Sequence, residues 1–180
     1  MHCKGERVNA PILTCVDPRG LLRSLPDVVR PHVPMDIRDF RSNARWVIAQ
    51  LYYGNRDLHY EAWYRARLRT IEVGLHFEAD DLTNARLLGA FRAQERATRR
   101  ALPAARLEEW DKGWARIWEP IEVEAVDEAL RDRVAKTLAR YVTTLEPMLR
   151  DALPSDVPWS MTARSPRKAA RRTTSATRRR

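Results

Sequence analysis

Thr70-Ile71-Glu72-Val73-Gly74-Leu75-His76-Phe77-Glu78 alternates without a break: Ile71, Val73, Leu75 and Phe77 take one set of positions, Glu72, Gly74, His76 and Glu78 the other. Side chains along a strand point to opposite faces with a period of two, so this segment is a strand with one apolar and one polar face. Such a strand suits an antiparallel sheet covered on its apolar side only. Upstream, the aromatic-rich segment His59–Arg65 reads as its hairpin partner. The connection Ala66–Arg69 lacks glycine and asparagine, which predicts a loop wider than a two-residue turn. That loop would set Glu61 opposite Glu72 and His59 opposite Gly74.

Downstream, Asp80 or Asp81 is placed to cap a helix reaching to about Ala101, with Leu82, Ala85, Leu88 and Phe91 as its apolar face and Pro103 as its stop. Leu107–Val123 then reads as a second hairpin turning at Asp111-Lys112-Gly113. Trp114, Arg116 and Trp118 would face one way, and Ala115 and Ile117 the other. The rival is a helix carrying Trp110, Trp114 and Trp118 at i, i+4 and i+8. Gly113 and Pro120 count against it. In the last helix Leu130, Val134, Leu138, Tyr141, Leu145 and Leu149 form a stripe at helical spacing. Asp127 is its N-cap, and Pro147 removes the bond to the Thr143 carbonyl. Glu61-Ala62-Trp63 and Glu108-Glu109-Trp110 loosely echo one another as a weak repeat of hairpin plus helix.

Upstream, Ile37, Phe40, Ala44, Val47, Ile48 and Leu51 also recur at helical spacing and predict a helix over 36–53, ended by Gly54-Asn55. Residues 1–34 hold five of the eleven prolines, with Leu21-Leu22 and Val28-Val29 as isolated apolar pairs. Proline fixes φ and lacks an N–H, so this segment reads as an irregular or disordered leader, and Met35 is a candidate alternative start to Met1. The expected organisation is thus an irregular leader (1–34), one folded α+β domain (35–160) and a disordered basic tail (161–180). The domain order is α-ββ-α-ββ-α, with a four-stranded antiparallel sheet packed by helices.

Charge locates the first functional clue. Of 33 Lys and Arg, eight lie from Arg164 onward with no acid among them; removing those eight leaves 25 basic against 24 acidic residues. The folded part is balanced, so a basic nucleic-acid-binding fold is not supported, whereas a basic appendage is. Arg164, Arg167, Lys168, Arg171, Arg172, Arg178, Arg179 and Arg180, set among Ala, Ser, Thr and Pro, suit a mobile polycation that binds phosphates non-specifically by counterion release. No apolar run approaches the roughly 20 residues of a membrane span, and the chain reads as cytoplasmic, with no membrane partner. His2, Cys3, Cys15 and His32 match no zinc spacing.

Two constellations carry chemistry. His59, Glu61, Glu72, His76 and Glu78 share the polar face of the first hairpin and suit divalent-metal binding or acid–base work. Trp114, Arg116 and Trp118 form an aromatic contact face, suited to cation–π stacking and joined by Trp46 and Trp63. There is no GxGxxG, Walker-type, GxSxG, HExxH or CxxC motif. The sequence therefore favours a non-catalytic protein- or ligand-interaction domain whose basic tail associates with nucleic acid. The alternative is a small metal-dependent or acid–base enzyme using the His/Glu cluster. The residues assign no cofactor.

Overall fold

A computed structural model describes residues 17–159. Four α-helices pack on one face of a six-stranded, wholly antiparallel sheet. In chain order these are α1 (Pro18–Val29), β1 (Arg41–Arg45), β2 (Ile48–Tyr52), β3 (Leu58–Arg65), β4 (Thr70–Phe77), α2 (Asp81–Ala93), α3 (Glu95–Ala101), β5 (Arg106–Trp110), β6 (Trp114–Glu122) and α4 (Glu128–Ala152). The strands lie side by side in the order β1-β2-β3-β4-β6-β5, so β1 and β5 are the edges. Helix α1 packs on β1 and β2, α4 on β3 and β4, and α2 on β6 and β5.

The alternating segment does what its pattern demands. Ile71, Val73, Leu75 and Phe77 are all buried and lie under α4 and α2. Their neighbours on the same face are Leu51, Tyr60 and Ile117, closed over by Val134, Leu138, Leu145 and Leu149 of α4. Asp127 caps α4 by accepting from the Leu130 amide at 2.8 Å, and the helix runs on through Pro147. The second hairpin forms with Asp111–Gly113 as its turn, where Lys112 (φ 61) and Gly113 (φ 72) are both left-handed.

Three expectations need correction. The helix expected over 36–53 is instead the hairpin β1–β2, which raises the strand count from four to six. Ala49 and Leu51 are buried at a period of two, and pairing with β3 satisfies a strand edge that a helix would have left open. The expected irregular leader 1–34 folds from Pro18 onward into α1, whose Leu21, Leu22, Leu25 and Val29 enter the core. Pro18 sits at the first helical position, where a missing N–H costs nothing, so its presence marks a start and not a break. Residues 1–16 lie outside the described part. Finally, the helix expected over 80–101 divides at Gln94 (φ −107, ψ 15) into α2 and α3; Asp80 caps α2, and Leu82, expected inward, is 57% exposed.

Candidate functional site

The sheet face opposite the helices is where the chemistry collects. Alternation sends Gln50 of β2, His59, Glu61 and Trp63 of β3, Glu72, Gly74 and His76 of β4, Arg116 and Trp118 of β6, and Glu108 and Trp110 of β5 to this side. His59, Glu61, Glu72, His76, Arg116 and Trp118 are nonetheless buried, because the side chains cover one another. Gly74 makes this possible: a Cβ there would run into the Ile117 carbonyl and Trp118 Cβ.

The hairpin register differs from the expected one by two residues. His59 lies opposite His76, Glu61 opposite Gly74, and Trp63 opposite Glu72. The connection is the four-residue loop 66–69, wider than a two-residue turn as the residue types suggest; it closes at Arg65 opposite Thr70 with Arg69 at φ 52, and that length sets the observed register. A slip of two keeps every side chain on its face but changes its neighbours. It separates Glu72 from the histidines and brings the two imidazoles together.

Glu72 belongs to a closed cation–carboxylate group. Arg116 donates to Glu72 at 2.8 Å and, through Nε and Nη2, to Glu108 at 2.9 and 2.7 Å. Trp118 Nε1 donates to the same Glu108 oxygen at 2.8 Å, and Arg65 reaches Glu72 at 3.0 Å. The Arg116 guanidinium is sandwiched between Trp118 and Trp110, 4.0 and 4.6 Å from their ring centroids. Trp114 carries the Lys112 ammonium at 5.1 Å, and Trp63 the Arg65 guanidinium at 4.0 Å. Trp114, Arg116 and Trp118 therefore do share a face, but Arg116 and Trp118 are committed to intramolecular partners. Trp46 does not join them: it sits at the tip of the β1–β2 hairpin, 73% exposed.

The histidines form the second group. The His59 and His76 rings stack at 5.6 Å with 15° between planes, and Trp110 meets His76 edge-on at 5.8 Å. His59 Nδ1 lies 3.0 Å from the Arg56 carbonyl, which accepts its proton. The Gln50 amide bridges His59 Nε2 at 3.0 Å and Glu61 Oε2 at 2.9 Å. Burial pushes the Glu61 carboxyl up, but the neighbouring His59 and His76 side chains and the Gln50 amide outweigh it. The net position is below the ordinary carboxyl range. His76 Nδ1 is buried with no hydrogen-bond partner, 3.6 Å from Glu78 Oε1.

A third feature had no signal in the sequence because it depends on which elements meet. β1 pairs with β2 only, so its outer edge is free among the described residues. Arg19 and Arg23, four apart on α1, converge with Arg45, Trp46, Ala44 and Ile48 around a cavity of about 20 Å³ at this end of β1. None of Arg19, Arg23, Arg41 or Arg45 makes an ion pair among the described residues.

The eight cationic residues from Arg164 to Arg180 lie outside the described residues. Among those described, no helix is long and apolar enough to cross a membrane. No known family model, curated protein or solved structure matches the chain, so its functional reading rests on this geometry.

Proposed function

We propose that this chain is a non-catalytic interaction domain that takes an extended, acidic polypeptide segment along the free edge of β1. The observation that carries the reading is the coincidence of an unpaired strand edge with four arginines, Arg19, Arg23, Arg41 and Arg45, that have no carboxylate partner among the described residues. A strand edge offers main-chain N–H and C=O groups to any extended chain, and side chains around it select which chain is accepted. Like charges on the edge oppose pairing between two copies of β1, while the same charges favour an acidic partner. The small cavity between α1 and the hairpin tip is lined by Arg19, Arg23 and Arg45, and Trp46 presents an exposed aromatic surface beside it.

The acid–base enzyme reading has less support. The His59 and His76 side chains are 3% and 2% exposed, which leaves no imidazole face for an organic substrate. Fluorescence anisotropy with a labelled peptide of alternating Glu and Val tests the proposal. Binding should weaken steeply with salt and lose about tenfold in affinity, ~1.4 kcal/mol, when Arg19, Arg23 and Arg45 are each reversed to Glu in one chain. Unchanged binding by that variant removes the edge as the site. A labelled single-stranded oligonucleotide that binds more tightly, with the same loss on reversal, replaces the peptide with a nucleic acid.

A further inference from the structure

A different group on the helix-free face is built for a much smaller ligand. The register that sets His59 opposite His76 lays two imidazoles side by side, and the two-residue period of β4 brings Glu78 to the same face just past its end. One ligand-capable atom from each of His59, His76 and Glu78 lies within 4.8 Å of the other two. The geometry points to a site for a divalent transition-metal ion of the zinc class, held by His59, His76 and Glu78.

Three further observations support it. First, His76 Nδ1 is a buried nitrogen with no hydrogen-bond partner in a side chain only 2% exposed, and buried polar atoms are otherwise nearly always satisfied. Its distance to Glu78 Oε1, 3.6 Å, is too long for a hydrogen bond. It is close to the separation of about 3.4 Å between two ligands placed about 2.1 Å from one tetrahedral ion. Second, His59 already carries the outer bond typical of a metal-binding histidine: Nδ1 faces the Arg56 carbonyl, so Nε2 is the ligand atom, and an ion there takes the place of the Gln50 amide that now meets Nε2 at 3.0 Å. Third, the charge balances. Glu61, linked to His59 through Gln50, adds a second carboxylate beside Glu78, so a dication here meets two negative groups. Trp110 covers His76 edge-on and supplies an apolar wall. Imidazole with carboxylate selects zinc, cobalt, nickel or copper over magnesium and calcium, which prefer all-oxygen shells.

The site is independent of whatever occupies the β1 edge. The test is a cobalt(II) titration of the full-length chain followed by visible absorption, with zinc(II) as competitor. Cys3 and Cys15 are both changed to Ser in the background, so that thiols do not supply a rival site. One equivalent should bind with the d–d bands of a four- or five-coordinate nitrogen–oxygen site, and zinc should displace it. His76→Ala should abolish the bands. Glu78→Gln, at a half-buried position that does not carry the core, should weaken binding about tenfold or more with an unchanged far-ultraviolet circular dichroism spectrum. Sub-stoichiometric binding in the Ser background overturns the proposal, as does equal binding by the parent, His76→Ala and Glu78→Gln chains.

Discussion

Arg116 and Glu146 show how differently the two faces of the sheet treat a buried charge. On the helix-free face Arg116 is given two carboxylates and two indole faces, so the ion is matched on every side. Under α4, Glu146 is fully buried and has only the Tyr60 hydroxyl at 3.1 Å and the half-exposed Arg150 at 2.8 Å. Burial pushes the Glu146 carboxyl above its ordinary value of 4.5, against the opposing pull of Arg150 and Tyr60. The folded state therefore holds this proton more tightly than the unfolded chain. Stability falls as pH rises from about 4.5 through the raised folded value, and is level beyond it. Glu146→Gln keeps the shape and removes that titration. The variant should gain on the parent as pH rises through this window and come within about 1 kcal/mol of it, or exceed it, at neutral pH. Urea melts at several pH values measure this. A gap that widens against the variant as pH rises would show that the Arg150 pair dominates.

Among the elements, the β1–β2 hairpin is the instructive one. Its two-residue loop is Trp46-Val47, between the paired Arg45 and Ile48, and Trp46 takes φ 56. A bulky residue in the left-handed region is strained, by about 1–3 kcal/mol, and strain that persists at an exposed tip points to use. Trp46→Gly should relieve that strain at the expense of a more flexible unfolded chain, which costs about 0.5–1 kcal/mol. Little packing is lost, since the side chain is 73% exposed. The expected result is equal or higher stability, by up to about 1 kcal/mol, together with weaker binding at the β1 edge. Chemical denaturation decides the first part: a loss above about 1 kcal/mol would mean the indole packs with Arg19 strongly enough to hold the turn. The same hairpin explains why its sequence suggests a helix. Val47 and Leu51, four apart, fit either period; Ile48 fits the helical one only, and it ends on the helix-free face opposite Trp63 because pairing with β3 decides for the strand.

Across the chain, charge is segregated. The residues outside the last 17 hold nearly equal numbers of acids and bases, and the eight tail cations stand without an acid. Any affinity for DNA or RNA that is indifferent to base sequence is expected from this tail, because a polycation contacts phosphates and not base edges. It should disappear when the chain is cut after Ala163 and show a log–log salt slope near −5 to −7 on duplex DNA, corresponding to about six to eight neutralised phosphates. Titrations of both chains at several salt concentrations check this. If the shortened chain keeps the affinity, the arginines around Trp46 are the first place to look. The Arg116 face is not, since its guanidinium is already matched by Glu72 and Glu108.

The polar–apolar alternation of Thr70–Glu78, the stripe of α4 and the Asp127 cap were legible because each is a local pattern with one physical reading. So was the face shared by His59, Glu61, His76 and Glu78, which follows from a period of two. What lay beyond the sequence was every property set by a neighbour distant along the chain. The register that parts Glu72 from the histidines is set by which residues close the loop 66–69, Arg65 and Thr70, and residue types named the loop but not its closing pair. The prolines of α1 are tolerated because Leu21, Leu22, Leu25 and Val29 find α4 and β2 to pack on. The arginine-lined edge exists because α1 and β1, remote from the motifs, meet at one end of the sheet. Local sequence specifies which face a side chain takes; the free energy of burying that face against other elements decides which side chains become neighbours, and the candidate sites are made of neighbours.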